Sequence, residues 1–301
     1  MKLLVILGPT ATGKTMLAAQ LAYRIGGEII SADSRQVFRR MTIGTGKDFS
    51  DYNINGTVVP YHLIDILEAG AEFSVFDFQQ EFIKAYHDIL SRNKIPVLCG
   101  GTGMYIESIL KPYIFYEVPE NINLRKELLK KTDEELIAVL EELKTLHNTT
   151  DTVNRKRLLR AIEIEIYKKK HPQISSFPEI NSVIFGIKTE RKKQTELITE
   201  RLKKRLERGM IEEVQALLDE GISPERLKSY GLEYKYVTQY ILGELEYGNM
   251  FTLLNTAIHQ FSKRQMTWFR HMEKNGIKIH WIEGDWPMDE KLKKIIQLLY
   301  C

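Results

Sequence analysis

The sequence predicts an α/β fold in which a parallel sheet is flanked by helices and interrupted by a helical insertion domain. The apolar run Leu3–Leu7 is followed by the glycine-rich segment Gly8–Thr15 and then by a helical pattern, as in P-loop NTPase-like proteins. From about residue 116 the chain is charged and helical. A strand pattern then returns at Ser182–Lys188. The predicted domains are a P-loop α/β core with C-terminal helices at 1–115 and 182–301, and a helical insertion at 116–181.

The composition is that of an ordinary globular protein, and it excludes several classes. Of the 301 residues, 43% are hydrophobic and 28% are charged, and the two cysteines, Cys99 and Cys301, make no disulfide framework or metal site by their spacing. The net charge of +3 is only mildly basic, so any binding of nucleic acid must depend on where the lysines and arginines lie. The apolar start is too short for a secretory signal, and no apolar run is long enough to cross a membrane. We therefore expect a cytoplasmic protein without a membrane partner.

The segment Gly8–Thr15, with the sequence Gly-Pro-Thr-Ala-Thr-Gly-Lys-Thr, fills every position of a phosphate-binding loop. Its glycines allow backbone N–H groups to converge on phosphate oxygens, and the helix that follows adds positive potential at its N-terminus. Lys14 supplies a charge, and the Thr15 hydroxyl is suited to Mg²⁺. The motif alone leaves open which phosphate compound is bound.

Asp33 follows a short apolar strand that begins at Glu28. Because functional groups of a parallel sheet gather at the carboxyl ends of its strands, Asp33 is expected to face the bound phosphate. It can act there as a Mg²⁺ ligand or as a general base that takes a proton from a nucleophile. The competing interpretation is a turn-forming or helix-capping aspartate.

The next segments are interpreted as mainly structural. Pro60–Ile66 predicts a short strand that carries His62 and Asp65, and the histidine is given a structural role. Ser74 and Asp77 form a variant of the capping box at the start of a helix. The helical spacing of the aromatic residues in that helix places them in the core.

A second strand-to-helix turn, Gly100–Gly103, has the sequence Gly-Gly-Thr-Gly. Phosphate-loop proteins that hydrolyse ATP usually carry an aspartate at the end of such a strand. Small residues instead admit a diphosphate or a base close to the backbone, and the alternative is a tight turn required for helix packing. Since Asp33 or Asp65 can still provide the acid, a kinase remains an open interpretation.

Basic residues concentrate in three later segments. A helix that begins near Arg155 is basic in its first two turns, a second predicted helix spans Lys192–Leu218, and the third segment is Lys263–His271. Charged helix faces are usually only solvated, but this density suits the neutralisation of phosphates. Aromatic side chains such as Trp268 and Phe269 can stack on unpaired bases. These segments therefore favour an RNA partner.

Seven segments, taken in order, resemble the motifs of the tRNA dimethylallyltransferases. They are Gly8–Thr15, Asp33–Phe38, Ile43–Lys47, His62–Asp65, Gly100–Tyr105, Arg157–Glu163 and Lys263–Arg270. The resemblance covers nearly the whole chain. It implies that the phosphate loop holds the diphosphate of dimethylallyl diphosphate, and the implied contacts are Gly8, Thr10, Ala11, Thr12, Gly13, Lys14 and Thr15.

The resemblance also implies a reaction, in which the dimethylallyl group passes to N6 of adenosine 37 in tRNAs that read codons beginning with U. The products are N6-dimethylallyladenosine and diphosphate. The implied catalytic residues are Asp33, which takes the proton, Thr15, which holds Mg²⁺, and Arg201, which stabilises the leaving group. The implied tRNA contacts are Asp33, Ser34, Arg35, Gln36, Thr102, Arg125, Lys156, Arg157 and Arg160. The insertion is implied to grip the anticodon stem-loop, and the protein is expected to be a monomer.

Three other functions stay open at the level of sequence. A P-loop kinase of small molecules would transfer phosphate without RNA. A noncatalytic RNA-binding module would bind RNA and keep only an affinity for nucleotides. A neighbouring enzyme class would transfer the isopentenyl group to free AMP instead of to tRNA.

Overall fold

The structure is a computed structural model that describes residues 2–111, 115–146, 152, 154–171 and 177–299. Its strands are β1 (Leu3–Leu7), β2 (Gly27–Ala32), β3 (Asn53–Ile54), β4 (Thr57–Val58), β5 (Tyr61–His62), β6 (Ile95–Gly100), β7 (Ser182–Lys188) and β8 (Ile279–Glu283). Its helices are α1 (Lys14–Ile25), α2 (Val75–Ser91), α3 (Gly103–Leu110), α4 (Ile122–Leu128), α5 (Asp133–Leu143), α6 (Arg155–Lys170), α7 (Arg191–Glu207), α8 (Met210–Asp219), α9 (Pro224–Ser229), α10 (Leu232–Ile241), α11 (Tyr247–Lys274) and α12 (Met288–Leu299).

Six of the described strands form a parallel sheet in the order β5-β2-β6-β1-β7-β8. β1 and β2 are buried along their whole length, which explains why they do not alternate between apolar and polar residues. β1 lies between β6 and β7, and Leu7 is in register with Gly100 and Gly186. The turns after β1, β2 and β6 therefore open at one edge of the sheet, which confirms the predicted fold class.

Alternate residues of β1 face opposite sides of the sheet. Leu4 and Ile6 join a core cluster with Leu17 of α1 and Leu292 of α12. This packing fixes α1 against the sheet directly behind the phosphate loop. The loop is thereby held between two buried elements.

The start of α2 confirms the predicted capping box. The Ser74 hydroxyl accepts a hydrogen bond from Asp77 N, and the Asp77 carboxylate accepts one from Ser74 N. The aromatic residues of the helix lie in the core, as predicted: Phe78 and Phe82 are fully buried, and Phe78 stacks on Tyr105 with ring centroids 4.1 Å apart. A fixed α2 supports α3, which begins at the second glycine-rich turn.

The predicted continuous helix over Lys192–Leu218 is wrong. The chain forms two helices there, α7 and α8, and Gly209 separates them with φ of +98°. Left-handed backbone is strained for residues with a Cβ atom, so glycine is the residue that permits this break. The break separates α8 from α7, and Glu213 in the first turn of α8 contacts the loop after β2.

The described chain divides into two compact units, 1–111 with 179–301, and 112–178. The second unit has a small hydrophobic core of its own. Its buried members are Leu128, Leu136, Leu140, Leu158, Ala161 and Ile162. The division falls three or four residues from the boundaries given above.

Helix α11 is amphipathic. It buries Met250, Leu254 and Phe269, while Lys263 and Arg264 are exposed. The burial of Phe269 excludes it from the stacking role considered for it above. Among the residues that the structure describes, no helix combines the length and the apolar character needed to cross a bilayer.

Candidate active site

A cavity of about 590 Å³ lies where the turns after β1, β2 and β6 meet α7 and α11. Sites for small ligands commonly measure roughly 300–1,000 Å³. The predicted residues that line it are Thr10, Ala11, Thr12, Gly13, Lys14, Thr15, Asp33, Ser34, Arg35, Gln36, Thr102 and Arg201. Gly8 does not line the cavity, because it packs against Ile187 at the base of the loop.

The phosphate loop is shaped by its own backbone. Gly13 and Ala11 have φ of +73° and +63°, and the Thr12 hydroxyl donates to Pro9 O at 2.9 Å. No side chain caps α1 at Gly13, so the first N–H groups of the helix have no side-chain acceptor there. Such an end is suited to an anion, which the N–H groups and the helix dipole both favour.

Gln265 ties this loop to the second glycine-rich turn. Its Oε1 accepts from Thr10 N at 2.8 Å, and its Nε2 donates to Gly101 O at 2.8 Å. The side chain is buried, and its hydrogen bond to Gly101 O is protected from water. Sequence reasoning grouped Gln265 with the basic residues beside it and missed this role, because nothing local shows that an amide on α11 reaches Thr10.

Two cations of the site, Lys14 and Arg201, have no carboxylate partner among the described residues. Lys14 Nζ lies 3.4 Å from Pro9 O, and Arg201 donates to the Thr10 hydroxyl. Burial lowers the pKa of Lys14. Burial and, after it, the charge of Arg205 lower the pKa of Arg201 to about 9. Positive charges held in this way are stabilised when an anion enters.

Asp33 and Thr102 face the same cavity from neighbouring strands. Asp33 Oδ1 accepts from Arg35 N at 3.0 Å, which is the turn geometry considered for it, yet its carboxylate still lines the cavity. The Thr102 hydroxyl accepts from Ser34 N at 3.2 Å. The predicted gathering of polar groups at this edge is therefore present.

Gly100 shows why the turn after β6 needs small residues. A Cβ atom there would lie 2.3 Å from Ala32 O, closer than any side chain permits. The glycine thus lets the ends of β2 and β6 approach each other. This close approach brings Thr102 next to Ser34. It supports the packing explanation for the turn, and the approach of a ligand to its backbone stays a prediction.

Arg35 and Gln36 are engaged within the protein. Arg35 forms an ion pair with Glu233 at 3.0 Å and lies over the ring of Phe261. Gln36 Oε1 accepts from Ser31 Oγ at 3.0 Å, and its Nε2 donates to Gly46 O at 3.2 Å. Their contacts with tRNA stay a prediction.

Glu213 holds the loop after β2 in place. Sequence reasoning missed this role because Glu213 was counted only among the acidic residues that offset the basic residues of the predicted helix. Its carboxylate accepts hydrogen bonds from the backbone N–H groups of Thr42, Ile43 and Gly44, at 2.8, 2.7 and 3.0 Å. It also accepts from the Tyr234 hydroxyl at 2.7 Å. The loop is thereby held by α8 and α10.

The two other titratable residues weighed earlier have structural partners. Asp65 forms an ion pair with Lys47 and does not line the cavity, so it is not available as the acid of a kinase site. His62 pairs with Glu28 at 2.8 Å, in keeping with the structural role given to it. Burial raises the pKa of the cavity thiol Cys99 to about 12, so that thiol stays protonated and is a poor nucleophile.

Asp48 and Asp51 add carboxylates to the cavity that sequence reasoning did not select. Burial and the neighbouring charge of Asp48 raise the pKa of Asp51 to about 6. The only local signal for them is that they follow Ile43–Lys47, one of the seven segments of the resemblance. The cavity therefore combines an anion-binding side with an acidic side.

The predicted tRNA contacts of the insertion differ in their surroundings. Arg125 donates to Glu163 Oε2 at 2.9 Å, and Arg160 donates to Glu163 Oε2 at 2.6 Å and to Val118 O at 2.6 Å. Lys156 and Arg157 are exposed near the start of α6. Arg125 and Arg160 thus stabilise the insertion, and contact with tRNA stays a prediction for all four residues.

Comparison with known proteins gives a consistent result. The family profile "IPP transferase" matches residues 36–272. The chain is 54% identical to "tRNA dimethylallyltransferase 2" of Phocaeicola vulgatus over 99% of this chain and 97% of that protein. It is 55% identical to "tRNA dimethylallyltransferase 2" of Bacteroides fragilis over the same shares.

Solved structures agree with these relatives. The full-length tRNA isopentenylpyrophosphate transferase of Bacillus halodurans is 30% identical, with a TM-score of 0.73 over 99% of this chain and 95% of that one. A eukaryotic dimethylallyltransferase acting on tRNA has a TM-score of 0.77 at 20% identity, over 94% of this chain and 74% of that one. At that identity the second comparison supports the fold alone.

Proposed function

The chain belongs to the IPP transferase family, and on that premise we propose that it transfers a dimethylallyl group from dimethylallyl diphosphate to tRNA. The acceptor is N6 of adenosine 37 in tRNAs that read codons beginning with U, and the products are N6-dimethylallyladenosine and diphosphate. One observation carries the proposal: the phosphate loop shares its cavity with Asp33 and Thr102, and the two cations Lys14 and Arg201 of that cavity have no carboxylate partner among the described residues. The relatives bear the name of this activity.

The diphosphate is the leaving group, so the site must stabilise negative charge that develops on its bridging oxygen. The N–H groups at the start of α1, the Lys14 ammonium and the Arg201 guanidinium all face the cavity. Donors fixed in advance in a site sheltered from water are the largest source of rate enhancement in many enzymes. Gln265 serves this step indirectly, because it fixes the loop.

Mg²⁺ fits the residues present, provided that the diphosphate completes its coordination. The described residues contain no group of three or more His, Cys, Asp or Glu that could hold a metal alone. The Thr15 hydroxyl and the carboxylates of Asp33, Asp48 and Asp51 supply oxygen donors around one cavity. Mg²⁺ is commonly bound through one or two protein oxygens plus substrate phosphates and water. When bound, it would neutralise charge on the diphosphate.

Asp33 is the proposed general base. The bond between C1 of the dimethylallyl group and the diphosphate oxygen breaks, and its electron pair leaves with the diphosphate. The N6 lone pair of adenosine forms the new N–C1 bond, and the N6 proton passes to the Asp33 carboxylate. The Thr102 hydroxyl accepts a hydrogen bond from Ser34 N, and Ser34 follows Asp33 in the chain. From this position Thr102 can contact the target base once that base has left the RNA stack.

The alternatives have weaker support. A kinase requires an acid near the γ-phosphate, and the pairing of Asp65 with Lys47 removes one of its two candidates. A noncatalytic module does not require a carboxylate in the cavity. Transfer to free AMP is separated from transfer to tRNA only by the acceptor. We further propose that the protein acts as a monomer, in the cytoplasm where its tRNA partner is found.

The deciding experiment supplies labelled dimethylallyl diphosphate and Mg²⁺ with unmodified tRNA, with an anticodon stem-loop RNA, or with AMP. We expect label in both RNAs and none in AMP. An Asp33→Asn protein should still bind RNA but transfer label at least about a hundredfold more slowly. Label in AMP alone would favour the neighbouring enzyme class, and label in no acceptor would contradict the proposal. Phosphate transfer from ATP to a small molecule would favour the kinase.

A further inference from the structure

We propose that Arg205 is a further cation of the diphosphate site, and that Arg35 keeps Arg205 free for the ligand by binding Glu233, the carboxylate that lies between the two arginines. This inference rests on the proposed function, because it names how the same cavity holds the leaving group. The resemblance placed Arg35 among the contacts with tRNA, and its ion pair with Glu233 indicates a role within the protein as well.

Arg205 lies on the cavity side of α7. It follows Arg201 by one helical turn, and residues four positions apart share a face of a helix. Both arginines line the cavity. Burial and, after it, the charge of Arg205 lower the pKa of Arg201, in keeping with two like charges held close together. A diphosphate would relieve their repulsion, whereas a neutral prenyl chain or base would not.

The Arg205 guanidinium has hydrogen-bonding capacity that the described protein does not use. It makes no hydrogen bond with a residue that the structure describes, and its one ion-pair partner among them is Glu233, whose Oε1 lies 3.8 Å from Arg205 Nη1. That distance is too long for a hydrogen bond. Arg205 is only 8% exposed, and burial of guanidinium donors without acceptors is costly. An anion that enters the cavity would supply the acceptors.

The loop after β2 leaves space for this guanidinium. Gly46 has left-handed backbone, and a Cβ atom there would overlap Arg205 Nη2. Gly46 also lines the cavity, so a larger residue would displace the guanidinium from its place against the loop. The small exposed fraction of Arg205 suits a ligand that enters the cavity, and it does not suit an RNA backbone that crosses the surface.

Arg35 takes the shorter contact with Glu233. Arg35 Nη1 donates to Glu233 Oε2 at 3.0 Å, and the guanidinium also lies over the ring of Phe261, 5.5 Å from its centroid. Gly231 leaves room for it, because a Cβ atom there would overlap the Arg35 guanidinium. A carboxylate that is hydrogen-bonded to one arginine attracts a second one less strongly. Arg205 is therefore held near Glu233 without being neutralised by it.

The three side chains form one line of charges, and removal of one end should change the other. Without Arg35, Glu233 loses its hydrogen-bonded partner, and Arg205 is the cation that lies nearest among its described partners. A full ion pair between them would compete with the diphosphate. Removal of the Glu233 charge as well should release Arg205 again. If Arg35 instead contacted the diphosphate directly, the loss would persist in the double variant.

The experiment measures binding of inorganic diphosphate in the presence of Mg²⁺, by isothermal titration calorimetry and without RNA. Arg205→Met should weaken binding about tenfold to a hundredfold, the range for loss of a hydrogen bond to a charged group, and Arg205→Lys should weaken it less. The kcat/KM for dimethylallyl diphosphate should fall by a similar factor. Arg208→Met is the matched control. Arg208 is exposed at the end of the same helix and does not line the cavity, so binding should change less than about twofold.

The role of Arg35 is tested by a double variant. Arg35→Met should weaken diphosphate binding about threefold to tenfold, and addition of Glu233→Gln should restore it to within about twofold of wild type. If Arg35→Met fails to fold, Glu233→Gln alone still decides, because it should bind diphosphate at least as tightly as wild type. Unchanged binding in Arg205→Met, or no recovery in the double variant, would overturn the inference. A wild-type protein that binds no diphosphate, or modifies no RNA, would instead count against the proposed function.

Discussion

Two loops of this protein carry the same local sequence, a glycine followed by a lysine, and use the lysine in opposite ways. Gly13 and Gly46 both have left-handed backbone, with φ of +73° and +70°. Lys14 has no carboxylate partner among the described residues and faces the cavity. Lys47 is buried, donates to Phe38 O and forms an ion pair with Asp65. In this protein both glycine–lysine pairs have left-handed backbone at the glycine. The surrounding fold determines whether the lysine faces a cavity or is paired within the protein.

The difference arises from what each loop does with its backbone N–H groups. In the second loop the Glu213 carboxylate accepts from three successive N–H groups, beginning at Thr42, so their hydrogen-bonding capacity is used within the protein. In the phosphate loop Thr10 N is taken by Gln265, while the start of α1 has no side-chain cap. The first arrangement stabilises the fold, and the second is prepared for an anion.

The largest effect is expected from Lys14→Ala. We expect kcat/KM for dimethylallyl diphosphate to fall about a hundredfold to a thousandfold, because a fixed donor to the leaving group is lost. The free energy of unfolding in urea should stay the same or rise, since burial of an unpaired cation costs stability. A variant that unfolds more easily than wild type would show that Lys14 is structural after all and would remove the contrast with Lys47.

Lys47→Met tests the other side of the comparison. It leaves the Asp65 carboxylate without its cation, and we expect the free energy of unfolding to fall by about 3 kcal/mol. The double variant with Asp65→Asn should lose less than the sum of the two single changes, because the residues interact directly. Chemical denaturation of all three proteins measures the coupling. A stable Lys47→Met protein with much reduced kcat/KM would place Lys47 in the site instead.

Asp51 lines the same cavity as Lys14, and its effect on the free energy of unfolding is expected to depend on pH. Since its pKa in the folded protein is raised to about 6 from an ordinary value of 3.8, the ionised form is disfavoured by folding. Its contribution to stability therefore falls as pH rises from about 4 to 6 and stays low above that. We expect Asp51→Asn to gain about 1 to 3 kcal/mol of unfolding free energy at pH 8, and little at pH 4. Equal gains at both values would mean that ionisation is not the cause.

The smallest effect concerns the insertion, where paired and exposed arginines again lie close in sequence. Arg160→Ala should lower the melting temperature, because it breaks contacts with the buried Glu163 and with Val118 O. Arg157→Ala should leave the melting temperature within about 1 °C and weaken RNA binding by a few-fold, with a shallower salt dependence. Unaltered RNA binding in Arg157→Ala would remove that residue from the predicted tRNA contacts.

Local chemistry allowed much of the fold and part of the site to be predicted. The turn between β1 and α1, the Ser74–Asp77 capping box and the strand at Ser182–Lys188 each depend on neighbours in sequence, and the structure confirms all three. Gln265 and Glu213 depend on contacts across 255 and about 170 positions, and side chains of this kind give no local pattern. The break at Gly209 was missed because one glycine within a charged helix is often tolerated.

The two hydrogen bonds by which Gln265 joins the glycine-rich turns have a consequence for the order in which the site forms during synthesis. The phosphate loop leaves the ribosome early, whereas the residue that holds Thr10 N and Gly101 O follows Thr10 by 255 positions. A nascent chain therefore carries the phosphate-loop sequence long before it has the finished site. We therefore expect the phosphate loop to reach its final arrangement late in translation, when α11 folds onto the sheet.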